Sequence, residues 1–165
     1  MVWVLAASLL IGFCFGFVLL FGAPYLPTLS KQVKTALDMA DLQPGQTLLE
    51  LGCGDGKVLI AAAERGWTVI GYELNPLLAG LAWLRTRRYG KRVKVVCGNF
   101  WSLKWPHADA IFVFLLDKYM VKLDTKIAQD YSPAKSRSLK LVSFAFQIPH
   151  KQPDKVRSGI YLYKY

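Results

Sequence analysis

Leu48-Leu49-Glu50-Leu51-Gly52-Cys53-Gly54-Asp55-Gly56-Lys57-Val58 decides how the rest of the chain is read. A short apolar run ends in an acid, turns through three alternate glycines and opens into a helical pattern. That order predicts a strand, a tight loop and a helix N-terminus. Glycine serves where the backbone takes a positive φ or where a ligand must approach the main chain. A dinucleotide loop of the form G-x-G-x-x-G is the first comparison, since its helix N-terminus holds a diphosphate. Here the spacing is G-x-G-x-G, and Lys57 stands where that form requires glycine. Glu50 would also repel a diphosphate, whereas it favours a ligand carrying an ammonium group.

Working outward, the next acid in a useful place is Glu73. It follows Gly52 by the roughly 20 residues that bring a carboxylate at the end of a second strand to a ribose diol. Asn75-Pro76 then starts a helix, with Asn75 as cap and proline at the first helical position. A nucleoside with a cationic amino-acid tail satisfies both carboxylates, and S-adenosylmethionine is the common cofactor of that description. Gly52, Cys53, Gly54, Asp55 and Gly56 are its predicted loop, with Glu50, Glu73, Leu74 and Asn75 around it.

The flanking elements alternate. Thr28 or Ser30 caps a short helix bearing Val33, Ala36, Leu37 and Ala40 on one face, and Pro44-Gly45 turns into the first strand at Thr47 to Leu51. Lys57 to Arg65 is a helix closed by Gly66, and Thr68 to Tyr72 is the second strand. The helix from Pro76 runs to about Arg88, with Gly90 closing it. Strands follow at Val93 to Cys97 and Ala110 to Leu116, a helix at Asp117 to Ala128, and strands at Leu139 to Phe146 and Ile160 to Tyr163. This pattern predicts an α/β fold with a Rossmann-like, doubly wound, mostly parallel sheet. Ligands sit outside the carboxyl ends of such strands, which collects Glu50, Glu73, Asn99, Phe100, Leu115 and Leu116 on one edge.

The high hydrophobic fraction, 53%, has a local origin. Val2 to Phe21 contains no charged, amide or imidazole side chain, and twenty helical residues span about 30 Å, the thickness of a bilayer's hydrocarbon. A basic leader region and a small-x-small cleavage signal are both missing, so an uncleaved single-pass anchor is favoured over a signal peptide. Lys31 and Lys34 follow the segment, which places the remaining chain on the cytoplasmic or an equivalent side. The predicted organisation is an anchor at 1–22, a connector and N-terminal helix at 23–46, and a cofactor-binding domain at 47–165. Gly12 and Gly16 form a G-x-x-x-G that either pairs two anchors or is ordinary small-residue content, so the oligomeric state stays open.

Cys14, Cys53 and Cys97 have neither metal-ligand nor redox spacing and read as buried thiols. His107 and His150 are the only histidines, so no metal site is predicted. The formal charge is +10, and between Leu74 and Ala108 there is no acid, while Arg85, Arg87, Arg88, Lys91, Arg92, Lys94 and Lys104 are basic. Such a run is either a solvated face or an attractor of anionic headgroups, and nucleic acid would meet the same charges.

Glu50-x-Gly52-x-Gly54-x-Gly56 and Glu73 resemble the class I, seven-strand methyltransferases. More narrowly, Pro24-Tyr25-Leu26-Pro27, Gly54-Asp55-Gly56-Lys57-Val58, Gly71-Tyr72-Glu73-Leu74-Asn75-Pro76 and Pro149-His150-x-x-Pro153-Asp154 resemble the membrane-anchored protein-lysine methyltransferases. That family modifies the ATP synthase c subunit and the adenine nucleotide translocase in mitochondria, and has bacterial relatives. Asn99-Phe100-Trp101 is similar to its Asp-Leu-Trp, so the resemblance implies that Asn99 meets the adenine amino group as a neutral acceptor. The chain departs from the family at Leu115-Leu116-Asp117-Lys118-Tyr119-Met120 and at Ala145-Phe146-Gln147-Ile148, both on the acceptor side.

The resemblance implies methyl transfer to a lysine of a membrane protein. Tyr25, Trp101, Tyr119, Phe144 and Phe146 are either the aromatic lining of the lysine pocket or plain core, and Asp117 either orients or deprotonates the amine or caps the next helix. A nucleic-acid methyltransferase is the first rival, opposed by the lack of an Asn-Pro-Pro-Tyr-like segment after strand four. Lipid and small-molecule acceptors, and a tethered module without turnover, complete the alternatives.

Overall fold

The computed structural model describes residues 28–131 and 138–165, together with residues 2–5, 8, 12 and 16. Seven strands form one sheet in the order β3-β2-β1-β4-β5-β7-β6. They are β1 (Thr47–Leu51), β2 (Thr68–Glu73), β3 (Val93–Cys97), β4 (Ala110–Val113), β5 (Lys140–Phe144), β6 (Lys155–Arg157) and β7 (Ile160–Lys164). The first five are mutually parallel, while β7 runs antiparallel to both β5 and β6.

β1 sits centrally, which explains its near-continuous apolar sequence: a parallel strand covered on both faces needs apolar side chains on both. Leu48 packs with Leu37, Leu59 and Ala82 on one face, and Leu49 and Leu51 with Met120, Leu123 and Ile127 on the other. Three helices therefore cover the first face: α1 (Ser30–Ala40), α2 (Lys57–Glu64) and α3 (Pro76–Thr86). The second is covered by α4 (Met120–Asp130) and by the irregular segment that carries Trp105 and Ala108 between β3 and β4.

Local chemistry moves several of the expected boundaries. Leu29, not Thr28 or Ser30, holds the capping position of α1, and no side chain caps it. α3 stops at Thr86, and Arg87–Arg92 tightens into a 3-10 stretch around Gly90 at φ 56°. β4 ends at Val113, and the predicted helix from Asp117 is a 3-10 turn over Asp117–Tyr119 that becomes α-helical only at Met120. β5 ends at Phe144 because Ala145 takes φ 71°, outside strand geometry. Cys97 is exposed, contrary to its reading as a buried thiol, since β3 is the sheet's edge.

The expected anchor falls mainly outside the described residues. Residues 2–5, 8, 12 and 16 are helical, and among the described residues no helix is long and apolar enough to cross a membrane.

Candidate functional site

The turn after β1 is built by three positive-φ glycines, Gly52 at 86°, Gly54 at 52° and Gly56 at 79°. A side chain at any of them would meet the steric cost of the left-handed region. The backbone N–H groups of Gly52 and Cys53 both donate to the Tyr72 carbonyl, at 2.8 and 2.9 Å, which ties the turn to the end of β2. Asp55 closes the helix start, accepting from the Lys57 N–H at 3.3 Å and pairing with Arg85 of α3.

Glu73 is shared by two loops. Its Oε2 accepts from the Gly54 N–H and its Oε1 from the Asn75 N–H, each at 2.8 Å. Its backbone carbonyl accepts from Gly98 N–H, also at 2.8 Å. Each carboxylate oxygen retains a lone pair for a hydroxyl donor. Asn75 caps α3 as expected, its Oδ1 accepting from the N–H groups of Leu77 and Leu78.

Glu50 differs. It is 4% exposed, and its Oε2 has no hydrogen-bond partner. Burial first, then the nearby carboxylates of Glu73 and Asp55, push its carboxyl well above the usual range. A buried, unpartnered acid of this kind disfavours its own charge and is satisfied by an incoming cation with N–H donors. The Cys53 thiol is pushed up for the same reasons, burial leading and Glu50 next, which makes it a small packed residue and not a nucleophile.

Gly71 has no role assigned by its motif, and the structure supplies one. A Cβ there would lie 2.8 Å from Cys53 Sγ and 2.9 Å from Leu59 Cδ1. The glycine turn packs directly on β2 at that point. The signal is in the sequence, because a glycine inside a strand marks a close approach of other atoms.

In the loop after β3, Asn99 is exposed and its Oδ1 accepts from the Trp101 N–H at 3.0 Å. Phe100 and Trp101 pack at 4.7 Å between ring centroids, and Trp101 and Tyr119 at 6.0 Å. Leu115 is buried, Leu74 half-buried and Asp117 exposed. Asp117 is not at a capping position, and no side chain caps its 3-10 turn. The five aromatics do not form one group. Phe144 packs against Phe114 and joins the layer of α1 to α3, whereas Trp101, Tyr119 and Phe146 join the opposite layer, so Phe144 reads as core. Tyr25 lies outside the described residues.

A sheet in this order with an antiparallel β7, one acid before the glycine turn and a second at the end of β2 defines a class I methyltransferase. The solved RNA methyltransferase from Salinibacter ruber in complex with S-adenosyl-L-homocysteine matches with a TM-score of 0.74 and 26% identity, covering 85% of this chain and 92% of that one. The chain belongs to the ANTKMT methyltransferase domain family, whose profile matches residues 50–155. The human lysine N-methyltransferase of the ATP synthase c subunit is 29% identical over 135 residues, 81% of this chain and 56% of that one. A protein-lysine N-methyltransferase of Saccharolobus islandicus is 30% identical over 137 residues, 81% of this chain and 83% of that one. The chain thus spans little more than half the length of the human relative it matches.

S-adenosylmethionine is the cofactor of this class, and the residues present fit it. The unpartnered Glu50 oxygen suits its ammonium, and the remaining lone pairs of Glu73 suit its diol.

Proposed function

We propose that the chain is an S-adenosylmethionine-dependent protein-lysine methyltransferase, held at a membrane by Val2 to Phe21, that acts on a lysine of a membrane protein. The observation that carries the chemistry is the buried, unpartnered carboxylate of Glu50 at the base of the glycine turn. Support for lysine as acceptor comes from the names of the human and Saccharolobus relatives, and the former acts on a component of the ATP synthase. In this reading the catalytic part, residues 47–165, faces the cytoplasmic or an equivalent side.

When bound, the cofactor supplies a methyl group activated by a sulfonium. Glu50 holds the amino-acid end, Glu73 accepts from the sugar hydroxyls, and Gly52 to Gly56 with Leu74, Asn75, Phe100 and Leu115 shape the cradle. Asn99 accepts from the adenine amino group. Trp101 and Tyr119 line the acceptor channel, where a partly dry surface lowers the lysine pKa and aromatic faces tolerate the methylated product. Positioning supplies much of the rate, Tyr25 joins the aromatic lining, and Asp117 orients or deprotonates the amine.

Transfer of label from the cofactor to membrane extracts tests the reading. Asp117→Asn and Tyr25→Phe each lower kcat with little change in cofactor affinity; unchanged rates in both remove them from the site. One observation favours a second reading, the likeness to the Salinibacter RNA methyltransferase together with the acid-free basic stretch. Label appearing in RNA and absent from membrane proteins would select it.

A further inference from the structure

α3 is apolar on two sides. Leu78, Ala79 and Ala82 are buried toward the sheet. Leu77, Leu81 and Leu84 recur at i, i+4 and i+7 on the outward side and are 39%, 43% and 49% exposed, and Trp83 beside them is 60% exposed. A surface helix ordinarily turns polar residues outward, and one that is apolar all round belongs in a core or against lipid. Four large apolar side chains along one exposed helix form a patch of the kind that marks an interaction surface.

The rim of the patch says what covers it. Arg87, Lys91 and Arg92 follow directly, all exposed, and none has an ion-pair partner among the described residues. Only Arg85 and Arg88 of this stretch are paired, with Asp55 and Glu64. No acid interrupts the sequence from Leu74 to Ala108. A second copy of the chain would bring the same basic rim and a formal charge of +10 against it, which repels. An apolar stripe with an indole at its margin and unpaired cations beyond it is instead the pattern of a helix lying in a membrane interface.

We propose that α3 and the 3-10 stretch after it form an in-plane docking surface for an anionic lipid bilayer, a contact separate from the N-terminal apolar segment and independent of which acceptor the enzyme uses. The stripe begins two residues after Asn75, whose N–H donates to Glu73, so it runs along the wall of the cofactor edge. Docking by this face holds the mouth of the site at headgroup level, where the lysines of membrane proteins place their ammonium groups.

The test uses the full chain in phosphatidylcholine vesicles whose acyl chains carry bromine near the headgroup, with and without phosphatidylserine. Subtracting the tryptophan emission of Trp83→Phe isolates Trp83 from the other four indoles. The Trp83 component is quenched in the vesicles containing phosphatidylserine, and the quenching is lost in Leu81→Glu/Arg87→Glu and at high salt. That double variant keeps its cofactor affinity by calorimetry, which shows that it is folded. Unquenched Trp83 in anionic vesicles overturns the proposal. So does shielding of Trp83 that appears only on concentration in detergent, which assigns the face to a second copy, or only on adding oligoribonucleotide, which assigns it to RNA.

Discussion

Glu50 places two requirements in conflict at one residue. Its carboxyl is raised above its usual range by burial and by two neighbouring acids, so the unliganded fold is least comfortable when Glu50 is charged. Because the folded pKa exceeds the unfolded value of about 4.3, the stability Glu50 contributes is full below that pH and is lost as pH rises through the folded pKa. Glu50→Gln should therefore raise the neutral-pH melting temperature of the unliganded protein and flatten its decline between acid and neutral pH. The same substitution should weaken cofactor binding by about 1.5–3 kcal/mol, the worth of a hydrogen bond to a charged group. Binding to the native protein should release a proton wherever Glu50 starts protonated, so affinity should climb as pH rises toward the raised folded pKa of Glu50. Calorimetry in buffers of different ionisation enthalpy reads that proton, and its absence from the Gln variant is the check. Gly71 is the second residue of this kind. Gly71→Ala forces a Cβ against Cys53 and Leu59 and should cost about 1–3 kcal/mol by denaturant melting, as overpacking does, while lowering cofactor affinity because the turn must shift.

β5 ends just before a residue held in the left-handed region. Ala145 holds φ 71° with its N–H donating to the Gly159 carbonyl at 2.8 Å, a conformation that costs an L-residue about 1–2 kcal/mol. Ala145→Gly should recover about 1 kcal/mol of that, less the added freedom of the unfolded chain, and raise the melting temperature. If stability falls, the methyl group is packing usefully and the strain argument fails. No feature of the sequence announces that angle, which is imposed by the antiparallel return of β7 onto β5. The same limit hid β6, three exposed residues paired only with β7, with no buried alternation to read. By contrast β1, the glycine turn, the end of β2 at Glu73 and the Asn75-Pro76 helix start were legible, because each rests on local chemistry: a buried parallel strand, positive-φ positions, a cap and a proline. The aromatic residues were legible as a class but not as a set. Which face of the sheet each occupies depends on strand register and on where β4 and β5 stop, and that parity separates Phe144 from Trp101 and Tyr119.

For the molecule as a whole, the question is how far the cofactor cradle depends on the apolar N-terminal segment. Glu50, the turn, Glu73 and Asn75 are all joined by bonds within residues 47–98. Among the described residues, the earliest tie to the region of that cradle is the Thr28 carbonyl, which accepts from Lys57 Nζ at 3.1 Å. α1 packs on β5 and β7 and on α2, and among the described residues none before Val33 belongs to the core of that layer. Removing residues 1–21 should therefore leave cofactor affinity within about threefold, less than the 1.4 kcal/mol that a factor of ten represents. Methylation of an acceptor in intact membranes should fall much further, because the tether supplies a local concentration that free diffusion does not. The two readouts must separate. Loss of cofactor affinity on truncation would mean that the segment completes the cradle itself, whereas equal activity toward membrane and detergent-dispersed acceptor by both forms would leave the tether no catalytic role.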